Sequence, residues 1–179
     1  LDNNAYTNVM AAWVLCRAFD LLERLPADRA AALRDLLELD DAELAHWDRV
    51  SRRLAVPFVE DGLIAQFQGY QDLQELDWEG LRARYDNIQR LDRILEAEGD
   101  SPNRYKASKQ ADALMLFYLL SAGELGRLME RLGYPFDPAG IPRTVDYYLA
   151  RTSHGSTLSR IVHAWVLARR DRARSWRLF

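Results

Sequence analysis

Residues 105–121 read YKASKQADALMLFYLLS, a stretch that joins the only two lysines of the chain to its most apolar run. The apolar side chains after Ala111 recur at helical spacing, and Ser101 followed by Pro102 gives a helix-start signal just before the stretch. The pattern therefore predicts a helix over residues 105–121 whose C-terminal half belongs to the core.

Helical spacing covers most of the remaining chain. Asp40 and Glu43 stand in the capping-box arrangement ahead of one amphipathic run. Residues 56–73 contain two glycines and no sustained period, which favours a loop with a short helix. No alternating strand pattern longer than four residues appears, so the predicted fold class is all-α, and residues 1–179 are predicted to form a single helical segment. The other predicted helices cover residues 6–25, 27–38, 78–98, 142–150 and 157–170.

The composition is that of a water-soluble globular protein. Hydrophobic residues make up 49% and charged residues 28% of the 179 positions, without an apolar run long enough to span a bilayer. The lone cysteine, Cys16, excludes an internal disulfide. Residues 1–25 lack the pattern of a signal peptide, so we expect a cytoplasmic protein without a membrane partner. Leu1 is not an initiator methionine, and we expect a piece of a longer chain.

Charge is distributed unevenly along the sequence. Residues 1–100 hold 11 arginines against 21 acids, whereas residues 101–179 hold 13 lysines and arginines against 6 acids. An anion site is therefore expected in the second half. The alternative is that the two halves face each other and their charges compensate.

Residues 151–159, RTSHGSTLS, contain five hydroxyl side chains and no carboxylate. Ser156 stands where the helix over residues 157–170 is predicted to begin, so the loop would present hydroxyls and free N–H groups at the positive end of that helix. Gly155 would let the backbone approach a ligand closely. The pattern favours an anion site, with an ordinary serine cap as the alternative.

The chain has 22 arginines but only two lysines, Lys106 and Lys109. Such a bias indicates that lysine is kept where a compact ammonium fits and a planar guanidinium does not. Lys109 and its neighbour Gln110 are candidates for orienting a sugar by hydrogen bonds. The alternative is two lysines placed by chance on a solvated first turn.

Four stretches carry a resemblance to a known family: DNNAYTNVMAAWVL, SPNRYKASKQADALMLFYLL, DYYLARTSHGSTLS and HAWVLAR. They resemble glycoside hydrolase family 65, the inverting phosphorylases and hydrolases of α-glucosidic disaccharides. The resemblance implies part of an (α/α)6 barrel. It also implies that Lys109 and Gln110 bind glucose and that the serine-rich loop binds inorganic phosphate, the co-substrate, without a metal or other cofactor. The matching loop positions are Ser153, His154, Gly155, Ser156 and Thr157.

The resemblance places the catalytic general acid, a glutamate, upstream of Leu1, so we expect this chain alone to be inactive. The implied partners are a disaccharide, phosphate and the remainder of the catalytic domain, and self-association is expected through unpartnered apolar positions such as Leu114, Phe117 and Tyr118. A phosphorylase needs no base carboxylate, because phosphate itself attacks the anomeric carbon. A hydrolase that uses water, for which Asp146 is the nearest acid to the loop, and a non-catalytic helical module remain alternatives.

Other candidates carry weaker signals. His163 is predicted to be a packed histidine, and His46 has no second ligand at metal spacing. Five tryptophans could form a sugar platform, although aromatic residues at helical spacing are more often core. The arginines of the C-terminal tail lack the aromatic residues and recognition helix of a nucleic-acid site, so no nucleic-acid partner is expected.

Overall fold

The computed structural model describes residues 2–59, 62–169 and 171–178. Within these ranges the regular structure is ten α-helices, short 3-10 turns and three isolated β-bridges, which confirms the all-α class. The helices are α1 (Ala5–Arg24), α2 (Ala27–Leu36), α3 (Asp41–Val50), α4 (Trp78–Arg84), α5 (Leu91–Ala97), α6 (Asp112–Leu119), α7 (Ala122–Arg131), α8 (Ile141–Leu149), α9 (Thr157–Ala168) and α10 (Arg172–Leu178).

Helices α1, α2, α3, α8 and α9 lie where the spacing predicted them, within two residues at each end where both ends were predicted. Asp40 caps α3 through a hydrogen bond that its carboxylate accepts from the Glu43 N–H, at 2.7 Å. The reciprocal half of the capping box is replaced, because the Glu43 carboxylate accepts from the indole N–H of Trp47.

The predicted helix over residues 105–121 is wrong at both ends. Only Asp112–Leu119 is helical, and residues 105–111 are extended or bent. Backbone pairing explains the difference, since Gln74 bridges Tyr105 and Ser108 bridges Thr152. At the other end, Ser121 caps a further helix, α7, which the sequence pattern did not predict.

Two further differences from the predicted helices lie at residues 78–98 and at the end of the chain. The predicted helix over residues 78–98 divides into α4 and α5, and the intervening segment turns where the Asn87 side chain accepts from the Gln89 N–H. An Asn side chain that bonds its own backbone two residues on favours a turn over a helix. Helix α10 was also not predicted, and the end of the predicted helix at Arg170 lies outside the described residues.

Helix α6 lies at the centre of the main core. It contacts α1, α7, α8 and α9, and Leu114 and Leu116 are fully buried. The expectation that Leu114 and Phe117 lack partners is therefore wrong, because both are buried in this cluster. A smaller cluster joins α4 and α5 through Leu76, Leu81, Leu91 and Leu95.

One patch of exposed apolar surface lies on the outer side of α9. Leu158, Ile161 and Trp165 are 43%, 50% and 55% exposed at spacings of three and four residues, which places them on one helix face. Tyr118 packs edge-on against Trp165 beside them. All five tryptophans lie in the described ranges, and none is fully buried. Trp13 packs against the main core and Trp78 against the smaller one, so the expectation of core tryptophans is met in part.

Over the residues that the structure describes, no helix combines the length and the apolar character that crossing a membrane requires.

Candidate functional site

The two segments singled out in the sequence, 105–110 and 151–157, lie side by side. The Ser108 N–H donates to the Arg151 carbonyl at 3.0 Å, and the Ser153 N–H donates to the Ser108 carbonyl at 2.9 Å. These bonds form a parallel β-bridge between Ser108 and Thr152. The residues of both candidate binding motifs are thereby brought together on neighbouring loops.

Gly155 is tightly packed against two other parts of the protein. A Cβ on residue 155 would overlap the carbonyl oxygen of Gln89 and would lie 2.9 Å from Cγ of Lys109. Real Cβ atoms do not approach other atoms so closely, so any larger residue would displace the loop. The glycine expected to permit a close approach does so, and the group that approaches it belongs to the protein itself.

Lys109 lies in an ion pair with an acid that the sequence did not single out. Its ammonium is 3.3 Å from a carboxylate oxygen of Asp92, on α5. Hydrogen bonds from Arg90 and Lys109 lower the pKa of Asp92 to about 2, so this carboxylate is ionised at neutral pH. Nothing in the spacing of the sequence marks Asp92, because the contact spans 17 residues.

The serine-rich loop is not satisfied by its own hydrogen bonds. Ser153 is buried, yet its hydroxyl has no partner among the described residues. Ser156 is the N-cap residue of α9, but its side chain makes no capping hydrogen bond. His154 holds a left-handed backbone conformation, with φ of 53°, a conformation that non-glycine residues adopt at a cost. The loop thus begins α9 without the serine cap that was the alternative interpretation.

Behind the loop lie two histidines and a serine. Nδ1 of His154 is 3.1 Å from the Ser159 hydroxyl, and Nδ1 of His163 is 2.7 Å from the Ser159 carbonyl. The two rings meet edge to face, with centroids 4.7 Å apart. Burial, helped by His163 and Arg160, lowers the pKa of His154 to about 4, and burial also lowers the pKa of His163. His163 is packed as predicted, with its Nε2 lacking a hydrogen-bond partner in the described structure.

A cleft of about 730 Å³ borders residues 105–110, the segment that carries Lys109. Gln66 accepts from the Asp112 N–H at 3.0 Å through its side chain and from the Ala5 N–H through its carbonyl. The Asn4 amide donates to the Asp112 carboxylate at 3.3 Å. These bonds join the start of α1 to the start of α6. Gln66 and Asp112 carried no periodic or spacing signal in the sequence, because their partners lie 46 and 108 residues away.

The loop is anchored at its start by Arg151. The guanidinium lies 2.9 Å from the Glu75 carboxylate and 3.8 Å from the centroid of the Tyr147 ring. Lys106 lies 3.7 Å from the same carboxylate. These pairs, with Lys109 to Asp92 and Arg131 to Asp48, each join a cation of the second half to an acid of the first. The two halves therefore do compensate one another's charge.

The remaining candidates lie apart from these contacts. Asp146, on α8, forms an ion pair with Arg174 at 2.6 Å. His46 is exposed on α3. Within the described ranges no three His, Cys, Asp or Glu side chains are grouped so that they could hold a metal ion. Gln110 follows Lys109 on the same loop and is partly buried. The arrangement offers a cation, amide and hydroxyl groups, and N–H donors at a helix start, which suits a polar ligand that carries an anionic group.

Similarity to known proteins extends over the whole length of the chain. The profile described as the glycosyl hydrolase family 65 central catalytic domain matches residues 1–179. An uncharacterized glycosyl hydrolase of Mycobacterium tuberculosis is 63% identical over 179 residues, which are 100% of this chain and 13% of the relative.

Two similar proteins carry more specific names. The trehalose 6-phosphate phosphorylase of Lactococcus lactis is 38% identical over 164 residues, 92% of this chain and 20% of the relative. The kojibiose phosphorylase of Halothermothrix orenii is 30% identical over 168 residues, again 92% of this chain and 19% of the relative. The chain thus spans a fifth or less of the length of these relatives.

Proposed function

Since this chain belongs to glycosyl hydrolase family 65, we propose that it is the part of an inverting glycoside phosphorylase that holds the glucose and the attacking phosphate. The all-α fold is that of a part of the family's (α/α)6 barrel. Lys109 and Gln110 hydrogen-bond the glucose. The phosphate lies in the loop of Ser153–Thr157, at the start of α9.

The observation that carries the proposal is the β-bridge between Ser108 and Thr152. It puts the pair proposed to bind glucose and the loop proposed to bind phosphate on adjacent backbone segments, which supports a reaction between the two ligands. The unpartnered Ser153 hydroxyl is a second support, because a buried hydroxyl costs free energy unless a partner satisfies it.

The reaction that fits these groups is a single displacement. A phosphate oxygen attacks the anomeric carbon, the glycosidic carbon–oxygen bond breaks, and the leaving sugar oxygen takes a proton from the general acid. We propose that this acid is a glutamate of the complete enzyme. Inversion converts the α-glucoside into β-glucose 1-phosphate. The chain's own residues position the reactants and stabilise the charge of the phosphate, with the loop amides and hydroxyls as donors.

A hydrolase of the same family is the second candidate. It requires a base carboxylate that activates water. Asp92 pairs with Lys109 beside the candidate loop, but a pKa of about 2 makes it a weak base. Asp146 is engaged with Arg174. These observations favour phosphate as the nucleophile. The third alternative, a non-catalytic helical module with a self-capped loop, is disfavoured because the Ser156 side chain makes no cap.

The substrate is proposed to be an α-glucosidic disaccharide. The names of the relatives add trehalose 6-phosphate to the set of trehalose, kojibiose, nigerose and maltose. A cytoplasmic location and self-association stay predictions.

The test is product analysis on the enzyme that includes the upstream acid, given each disaccharide with and without phosphate. Phosphate-dependent release of β-glucose 1-phosphate is expected, and Ser156→Ala and His154→Ala should both reduce it. His46→Ala is the matched control, because His46 is exposed on α3. Release of free glucose at the same rate without phosphate would establish the hydrolase instead.

A further inference from the structure

The hydrogen bonds behind the serine-rich loop fix where two histidine protons lie. His163 places Nδ1 2.7 Å from the carbonyl oxygen of Ser159. A carbonyl only accepts hydrogen bonds, so Nδ1 of His163 carries the proton. The ring is fully buried, which disfavours a second proton and leaves Nε2 bare.

Ser159 then decides the state of His154. The Ser159 side chain is also fully buried, and among the described residues its hydroxyl has one partner, Nδ1 of His154 at 3.1 Å. A buried hydroxyl proton must be donated to an acceptor, and Nδ1 is the acceptor within reach. Nδ1 of His154 is therefore bare, and the proton of its neutral ring lies on Nε2. The two neighbouring histidines hold opposite tautomers.

The packing of the rings fixes the orientation of His154 as well as its proton. The interplanar angle between His154 and His163 is 79°, so the edge of one ring meets the face of the other. The left-handed backbone of His154 directs the side chain into this contact from the loop. Nε2 of His154 has no protein partner in the described structure, which leaves its N–H free for a ligand.

We propose that Ser159 and His163 are positioning residues that hold His154 as the Nε2–H tautomer, so that His154 donates this N–H to the phosphate. The inference rests on the proposed function, since phosphate is the acceptor. An uncharged donor keeps its proton while the phosphate binds and leaves, so phosphate binding does not require His154 to ionise. The charged groups around it are Arg160 on α9 and, across Gly155, the Lys109–Asp92 pair.

A double-mutant cycle on the complete enzyme tests the proposal, with separate KM values for phosphate and disaccharide. Ser159→Ala removes the donor to Nδ1 and should raise the KM for phosphate about fivefold, the effect of one hydrogen bond. The KM for the disaccharide should not change, and Ser159→Thr, which keeps a hydroxyl, should restore the phosphate KM. His154→Gln supplies an amide N–H that needs no tautomer. In that background, Ser159→Ala should have no further effect on the phosphate KM.

An equal rise in both backgrounds, or an equal rise of both KM values, would overturn the proposal in favour of a structural role. A second measurement works even if Ser159→Ala fails to fold. 15N spectra of the histidine-labelled wild-type enzyme, assigned with His154→Gln and His163→Asn, should show Nε2–H for His154 and Nδ1–H for His163. Spectra that show Nδ1–H on both rings would contradict the tautomer assignment. Enzyme that turns over disaccharide without phosphate yet shows opposite tautomers would instead sink the proposed function alone.

Discussion

Gly155 lies against the carbonyl oxygen of Gln89, and the space between them admits no side chain. One residue in the candidate anion loop is therefore fixed by a backbone carbonyl from the segment between α4 and α5. The loop can keep its position beside Lys109 only while residue 155 lacks a Cβ.

Gly155→Ala should displace the loop and reduce phosphate-dependent turnover while it lowers the free energy of unfolding by about 1–3 kcal/mol, the usual cost of overpacking. The measurements are product formation and chemical denaturation of the complete enzyme. Gly123→Ala is the matched control. Its Cβ would meet only the end of the Arg127 side chain at 3.9 Å, and alanine is the better helix former within α7. Unchanged turnover in Gly155→Ala would show that the loop does not need its present position.

Lys109→Arg should weaken substrate binding nearly as much as Lys109→Met. Cγ of Lys109 packs against Gly155 and its ammonium pairs with Asp92, and the larger, planar guanidinium does not reproduce this geometry. The readout is the KM for the disaccharide. Lys106→Arg is the control from the same segment, and it should leave this KM unchanged because Lys106 is paired with Glu75. Full activity of Lys109→Arg would mean that charge alone is required.

Arg151→Lys should lower the free energy of unfolding by about 1 kcal/mol, because lysine cannot both bind Glu75 through two nitrogens and stack on Tyr147. Thermal or urea unfolding measures the change. Arg34→Lys, in the exposed pair with Asp41, should change it by less than about 0.5 kcal/mol. Equal effects at the two sites would remove Arg151 as the anchor of the loop.

Acid should destabilise the protein through half-buried His154 and buried His163. The pKa of His154 is lowered from 6.5 to about 4, and that of His163 is lowered too. In this range the unfolded chain binds more protons than the folded one, so the free energy of unfolding falls as the pH drops below 6.5 towards 4. The contribution is fully present above pH 6.5.

Replacement of His154 by Gln should flatten this decline in a series of denaturation curves between pH 7 and pH 4. His46→Gln provides the comparison, since it removes an exposed histidine and should leave the decline in place. A His154→Gln protein with the wild-type pH dependence would contradict the assignment of His154 as buried and neutral.

The isolated chain of residues 1–179 should self-associate through the outer face of α9. Ile161 and Trp165 expose apolar area there, beside Tyr118 and the exposed Leu119. Sedimentation at several concentrations measures this, and Ile161→Glu with Trp165→Glu should shift the chain towards monomer. Thr157→Glu, at an exposed position near the start of the same helix, is the control and should not. A monomeric wild-type chain would be evidence against the prediction.

Helical periodicity was sufficient to place much of this fold. Spacing predicted α1, α2, α8 and α9, because each carries apolar side chains at three- and four-residue intervals. Asp40 indicated the start of α3, because a side-chain cap is a local interaction. Interactions between residues that are neighbours along the chain can be predicted from a single sequence.

The errors lie where distant backbone groups compete with the helix. Residues 105–111 have a sequence compatible with a helix, but two of them form β-bridges instead. Tyr105 pairs with Gln74, 31 residues away along the sequence, and Ser108 pairs with Thr152, 44 residues away. Asp92 and Gln66 were not predicted for the same reason, because their partners are distant in the sequence and become neighbours only in the folded chain. The candidate residues Lys109 and Ser153–Thr157 were found by residue type and resemblance, whereas their closeness to one another required the structure.

The Ser108–Thr152 bridge also bears on how such a site can diversify. Its two hydrogen bonds are made by peptide groups, so they survive the replacement of most side chains on either segment. Substitutions at the neighbouring positions can alter the groups offered to a ligand without dissolving the frame that aligns them. For the sugar site that we propose, this frame keeps the two segments aligned while their side chains change, and we regard the bridge as a source of evolvability.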